Sequence, residues 1–294
     1  MEPSFPWQAA LYPVNSSLRY FLWLYEMPTW LLAVLIVGLT LLLALAGLYF
    51  THRRLHQSAA PDQIDNGTVG WFFSGVTVLY GLTLGLLTVA SWQNYSTASG
   101  IASQEAATLA VLYRDLSGYP DSTRLPLQRQ LHDYTRFIVH ESWPAQQRGL
   151  ANDTERLVLT AFQLELLHTD VPTRALQVLH GEAIETFNKL VELRRQRIES
   201  VGTGVPGVLW AAVLIGALVT IGFSYCFVVV SLRLHALLTG LLALMVGVMI
   251  FLIAALDHPY LGEVSVTPEA YQLVLDKVMV PTSTPSPGKS GSVQ

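Results

Sequence analysis

Four long apolar stretches alternate with polar ones along the chain, and their lengths set the architecture. Residues 30–50 carry no charged side chain, and a helix rising ~1.5 Å per residue over such a run crosses the ~30 Å hydrocarbon core of a bilayer. Residues 71–91 form a second uncharged run, and 207–231 and 234–256 a third and a fourth. An unpaired backbone group in hydrocarbon costs several kcal/mol, and the runs lack the alternation of barrel strands, so each is expected to be a helix. Trp30, Tyr49, Trp71 and Trp92 stand near the ends of the first two runs, where amphipathic rings prefer the headgroup zone. Little more than residues 231–235 joins the third run to the fourth, which predicts a tight antiparallel hairpin.

Between the second and third runs the pattern becomes polar and helical in period. Ala102, Ala106, Leu109, Leu112 and Leu116 predict one apolar face, stopped at Ser117, Gly118 and Pro120. Leu127, Leu131, Tyr134 and Ile138 predict a second helix ending at Trp143 and Pro144. Leu157, Ala161, Leu164 and Leu167 predict a third, and Leu176, Leu179, Ile184, Phe187, Leu190 and Ile198 a fourth that runs into the third span. No strand pattern is visible. The flanking helices are expected to continue the second and third spans out of the bilayer as a tall bundle. The expected fold class is an all-α membrane protein, with four transmembrane helices and an extramembrane helical domain inserted between the second and third.

The resulting division is an amino-terminal segment (1–29), a first transmembrane hairpin (30–91, spans 30–50 and 71–91) and the extramembrane domain (92–205). A second hairpin (206–256, spans 207–231 and 234–256) is followed by a post-membrane motif with a short helix (257–280) and a Pro/Ser/Gly-rich tail (281–294) expected to be disordered. Thr267 and Pro268 suit the cap and first turn of that short helix. A cleaved signal peptide would place a shorter apolar region behind a basic start, whereas Arg19 is the lone base before residue 30, so the amino terminus is expected to be retained.

Composition agrees with lipid as part of the solvent: the 294 residues are 51% hydrophobic and 13% charged, with a mean hydropathy of +0.41. A net charge of −4 offers no broad basic field, so no nucleic-acid partner is expected. Cys226 is the single cysteine and reads as a small hydrophobe. Pro287, Gly288, Lys289 and Ser290 echo a phosphate loop, but Ser283 stands where its first glycine belongs and no strand precedes it. His52 and His56 are four apart, as helical metal ligands can be, yet no acidic or cysteine partner is fixed nearby. No metal, cofactor or catalytic group is expected, and no nucleophile, paired-carboxylate or nucleotide motif points to an enzyme.

Candidate functional positions lie elsewhere. Ser74, Thr77, Gly81, Gly85, Thr88 and Ser91 recur at three- or four-residue spacing, one narrow stripe of small and hydroxyl side chains on the second span. Gly81 and Gly85 also suit close helix packing. A stripe of this kind can line a water-filled path. The spans hold no Lys, Arg, Asp or Glu except Asp257 at the end of the fourth, which disfavours a proton pump or voltage sensor. Asp257 and His258 read either as a polar cap or as an interfacial gate. Arg53, Arg54 and Arg233 of the short loops oppose Lys189, Arg194, Arg195 and Arg197 ahead of the third span, so the positive-inside trend assigns no orientation.

A further pattern is carried by Asp65 and Asn66, Trp92, Tyr95, Gln104 to Ala106 with Glu105 at the centre, Leu112 to Arg114, Pro120, Tyr134, and Glu141 to Pro144 with Trp143. After the fourth span it continues with Asp257, His258 and Pro259, then Gly262 and Pro268 to Tyr271. In these stretches the chain resembles the bacterial bestrophin-like family of multi-pass membrane proteins, remotely similar to the bestrophin anion channels. The resemblance implies a homo-oligomer, a pentamer in bestrophins, in the bacterial inner membrane, with small inorganic anions as the passing species. It carries over no neck residue, and it would place the large domain in the cytosol, against the charge trend of the short loops. The function expected is an oligomeric, anion-conducting channel whose pore is lined by the second span. The alternative is a membrane-embedded sensor or scaffold whose helical domain binds a partner or ligand. A transporter would need inverted repeats and interrupted helices, which the sequence does not show.

Overall fold

The computed structural model describes residues 11–13, 25, 27–58 and 65–280, with the side chains of 11–13 and 54–58 outside the description. The side chains of Arg54 and His56, and the 281–294 tail, about which the sequence makes predictions, therefore lie outside it. Four helices are long and apolar enough to cross a membrane: α1 (Thr29–Ser58), α2 (Asn66–Asp115), α7 (Gly207–Ser224) and α8 (Leu232–Leu256). Between α2 and α7 come α3 (Asp121–Phe137), a π-helical turn (Ile138–Ser142), α4 (Trp143–Gln146), α5 (Thr154–Leu167) and α6 (Arg174–Val201). A short α9 (Glu269–Lys277) closes the described chain.

α2 is a single helix of 50 residues, roughly 75 Å long at 1.5 Å per residue. Its start is fixed by Asp65, whose carboxylate accepts from Gly67 N (2.9 Å), Thr68 N (3.0 Å) and the Thr68 hydroxyl (2.7 Å). It ends in a 3₁₀ turn (Leu116–Gly118) ahead of Pro120. The second apolar run thus continues without a break into the polar helical region, as one helix. At α6 the structure corrects the expectation: the helix stops at Val201 and α7 begins at Gly207 behind Pro206. Proline at the N-cap lacks an N–H to carry a helical ladder across this link.

The second hairpin also differs from its prediction. α7 ends at Ser224 rather than 231, and residues 225–231 form its loop. The Asn66 side-chain amide donates to Val228 O (2.8 Å) and accepts from Val228 N (2.9 Å), pairing with the loop backbone as a strand would. Phe227 meets Phe73 edge-on, with centroids 5.4 Å apart. These contacts satisfy loop groups that would otherwise have continued the helix.

The buried apolar residues form two cores. One joins the spans through Tyr80, Leu84, Leu87, Val213, Val246, Ile250 and Ile253. The other fills the bundle with Leu109, Leu112, Leu127, Leu131, Phe162, Phe187, Leu190 and Tyr271. The predicted apolar face of α5 is not its buried face. Leu157, Ala161, Leu164 and Leu167 are exposed, while Glu155, Leu159, Phe162 and Leu166 are buried. A short antiparallel pair, β1 (Leu11–Pro13) with β2 (Leu150–Asn152), is a further element that the sequence pattern did not signal.

Candidate functional site: the outer face of α2 and its buried anchor

Ser74 and Gly81 are exposed on α2, and Thr77, Gly85 and Thr88 half-buried. A Cβ built on Gly81 or Gly85 meets nothing within 4 Å, so no helix of the same chain uses the small-residue spacing. The close approaches fall elsewhere: Tyr80 fills the space beside Gly216, and Val37 Cα stands 3.1 Å from where a Gly247 Cβ would be. The Thr77 and Thr88 hydroxyls donate to the carbonyls of Phe73 (2.7 Å) and Leu84 (2.8 Å), four residues back, which leaves their lone pairs open to water. Ser91 departs from the stripe: it is fully buried within the chain, because its position turns onto the side of α2 that carries Tyr80, Leu84 and Leu87.

The same buried side of α2, farther along, carries Glu105. Arg197 of α6 donates from Nε to Glu105 Oε2 (2.7 Å) and from Nη2 to Glu105 Oε1 (3.3 Å) and Glu155 Oε2 (2.7 Å). Arg194 Nε donates to Glu155 Oε2 at 2.9 Å, and the Tyr134 hydroxyl to Glu105 Oε1 at 3.3 Å. Glu105, Glu155 and Arg197 have no exposed surface. Two carboxylates and two guanidiniums balance, which is the condition under which charges persist in a low-dielectric core. Burial alone would raise the Glu155 carboxyl, but Arg197 and then Arg194 outweigh it and hold it below its ordinary value. Burial pushes the Tyr134 and Tyr271 hydroxyls far up, and the negative Glu105 adds to it, so both rings stay neutral. The π turn exposes His140 and Glu141 and turns Ser142 and Trp143 inward. Trp143 donates to Val266 O (3.2 Å) and packs against Tyr260 and Tyr271, at centroid distances of 5.5 and 5.6 Å.

At the end of α8, Asp257 ties the broken α6–α7 link. Its carboxylate accepts from Val205 N (2.5 Å) and Trp210 Nε1 (3.2 Å), and its charge adds to burial in raising the pKa of the Tyr25 hydroxyl. His258 reaches Thr203 O at 3.2 Å and fills the space beside Gly204. The polar-cap reading of Asp257 and His258 accounts for these contacts.

A bestrophin-like domain model matches residues 38–271, most of the chain. The chain belongs to the bestrophin-like family. The fold is shared with crystal structures of a bacterial bestrophin homologue from Klebsiella pneumoniae. One point variant superposes with a TM-score of 0.61 at 11% identity, over 84% of this chain and 97% of that one. Another gives 0.56 at 13% identity, over 85% and 99%. A comparison with curated proteins found no match.

Within this bestrophin-like protein the family-motif positions separate into inner and outer sets. Glu105, Tyr134 and Trp143 come together in the bundle core, and Asp257 and His258 at the α6–α7 link. Trp92, Arg114 and Glu141 are exposed, with Trp92 stacked on Tyr95 at 5.8 Å. Glu155, Arg194 and Arg197 complete the buried network and were missed as site residues in the sequence. An acid on the helical face that also bears Leu159, Phe162 and Leu166 was the available signal.

Proposed function

We propose that this bestrophin-like membrane protein is an oligomeric, anion-conducting channel, with the outward face of α2 turned toward a shared axis. The observation that carries the reading is the small-residue stripe on a membrane helix: Ser74 and Gly81 are exposed, and no other helix of the chain stands within reach of a Cβ added at Gly81 or Gly85. Hydroxyls and bare glycine backbone gain little from lipid, whereas a wet axis hydrates them. Ser91 is left out of the proposed lining because it is buried in the chain. Arg114 extends the same face outside the membrane, about 20° round the helix from Gly85 at 100° per residue, and is exposed and free of ion pairs among the described residues. A ring of copies, five by the family resemblance, would repeat this charge around the vestibule and favour anions.

The test is chloride efflux from liposomes containing the purified protein, compared with Thr77→Leu and Thr88→Leu. Flux in the wild type that falls in both variants supports the channel, and absence of any ion flux removes it. The second reading, a membrane-embedded scaffold, draws on the exposed apolar face of α5 at Leu157, Ala161, Leu164 and Leu167, where a partner could dock. Native mass measurement separates the two: a closed ring favours the channel, a monomer or dimer the scaffold.

A further inference from the structure

The core of the bundle contains polar atoms that the protein itself leaves without hydrogen bonds. Arg197 Nη1, Glu155 Oε1, the Ser142 hydroxyl and the Tyr271 hydroxyl are all inaccessible and lack a partner, on residues no more than 1% exposed. They belong to one neighbourhood. Arg197 binds Glu155 through Nη2, the Ser142 hydroxyl lies beside the Glu155 carboxylate, and Tyr271 packs on Trp143, the neighbour of Ser142, at a centroid distance of 5.6 Å, where the charges of Glu105 and Arg197 act on its hydroxyl. Although Ser142 and Glu155 are this close, they make no direct bond of good geometry.

Each orphaned group would carry an uncompensated desolvation cost, larger where it is charged. Several such costs in one core would consume a large part of a domain's net stability. Something must therefore bond to these atoms, and their chemistry restricts it. Arg197 Nη1 only donates, Glu155 Oε1 only accepts, and the two hydroxyls do either. An anion would face Glu105 and Glu155, and a cation would face Arg194 and Arg197, in a network whose formal charges already cancel. The remaining class is a small, neutral molecule that both donates and accepts.

We infer that the bundle core is a binding site for structural water, flanking the Arg197–Glu155 pair. One position links Arg197 Nη1 to the Tyr271 hydroxyl, and another links Glu155 Oε1 to the Ser142 hydroxyl. Water supplies the two to four hydrogen bonds that such sites require, and it completes a network joining α2, α5, α6, α9 and the π turn. This inference does not rest on the channel reading and stands or falls separately from it.

Two measurements on the full-length protein test it. A map at about 2 Å, resolving other ordered waters, should show a peak within ~2.6–3.2 Å of Arg197 Nη1 or Glu155 Oε1. Absence of both peaks overturns the inference. Tyr271→Phe supplies the sign: with water bound, removing the hydroxyl strands the water and Arg197, lowering the apparent Tm by about 2–6 °C. If the hydroxyl were an unpaired group in a dry core, the same substitution would remove a desolvated polar atom and raise the Tm. A raised or unchanged Tm therefore rejects the water link at Tyr271, and the map of the wild type decides the site even if the variant folds poorly.

Discussion

Arg197 and Glu105 sit 92 residues apart in sequence and meet at 2.7 Å with neither side chain exposed. The pair fastens the carboxy-terminal half of α2 to α6, and Glu155 extends the tie to α5. Since α2 also carries the proposed axis-facing stripe, this contact joins the bundle core to the helix on which the channel reading depends.

Arg197→Met should be severely destabilising. It leaves Glu105 and Glu155 buried with Arg194 alone, and breaking a buried pair costs about 3–5 kcal/mol. The expected readout is a fall of roughly 10 °C in apparent Tm, or loss of the monodisperse peak in detergent. An unchanged melting curve would show that the buried network contributes nothing.

Stability should also fall in acid through Glu155. Its folded pKa lies below the ordinary 4.5, so the unfolded chain binds the proton first and the ionised form favours folding. That contribution is fully present above the ordinary value and is lost as pH falls through the lowered folded value. Melting curves taken from pH 7 down to 3 should show this loss, and Glu155→Gln should start lower and flatten the dependence. An equally steep acid limb in the variant would assign the loss to other carboxylates.

The path from sequence to structure was clearest where lipid imposed the rule. Four uncharged or nearly uncharged runs became four helices because hydrocarbon tolerates no other open backbone. The bundle was less legible because hydrophobic periodicity does not detect a buried charge. On α5, Leu157, Ala161, Leu164 and Leu167 form the more regular apolar stripe, yet the core takes the face with Glu155, since Arg194 and Arg197 on α6 neutralise it. That choice depends on residues some 40 positions away, beyond any local window. The 225–231 loop was hidden in the same way: its apolar residues continue the helical pattern, but Asn66 of α2 captures the Val228 backbone. The α2 stripe was legible as a pattern, but the inward turn of Ser91 emerged only from how α2 packs.

Packing between the spans gives a third expectation. Gly247 of α8 faces α1, where an added Cβ would stand 3.1 Å from Val37 Cα and 3.3 Å from Thr40 Cβ. Backbone cannot yield as a flexible side-chain end can, so Gly247→Leu should force α1 and α8 apart at a cost of about 1–3 kcal/mol. A reduced Tm and faster proteolysis near α1 are the expected signs. Wild-type resistance would mean that the two helices do not approach this closely.

Gly81 and Gly85 provide the complementary case. The chain has open space at both positions, and leucine is the better helix former by most of ~1 kcal/mol. Gly81→Leu and Gly85→Leu should therefore leave the protomer's fold intact, with melting behaviour like the wild type. If copies gather with this face toward a wet axis, each substitution repeats around the ring, narrows the path and replaces bare backbone with an apolar collar prone to dewetting. Chloride flux should then fall at least tenfold while the oligomer persists. Unchanged flux from correctly assembled Gly81→Leu would place the conducting path away from this face of α2. Loss of the oligomer with a stable protomer would instead show that the stripe is a dry contact between copies.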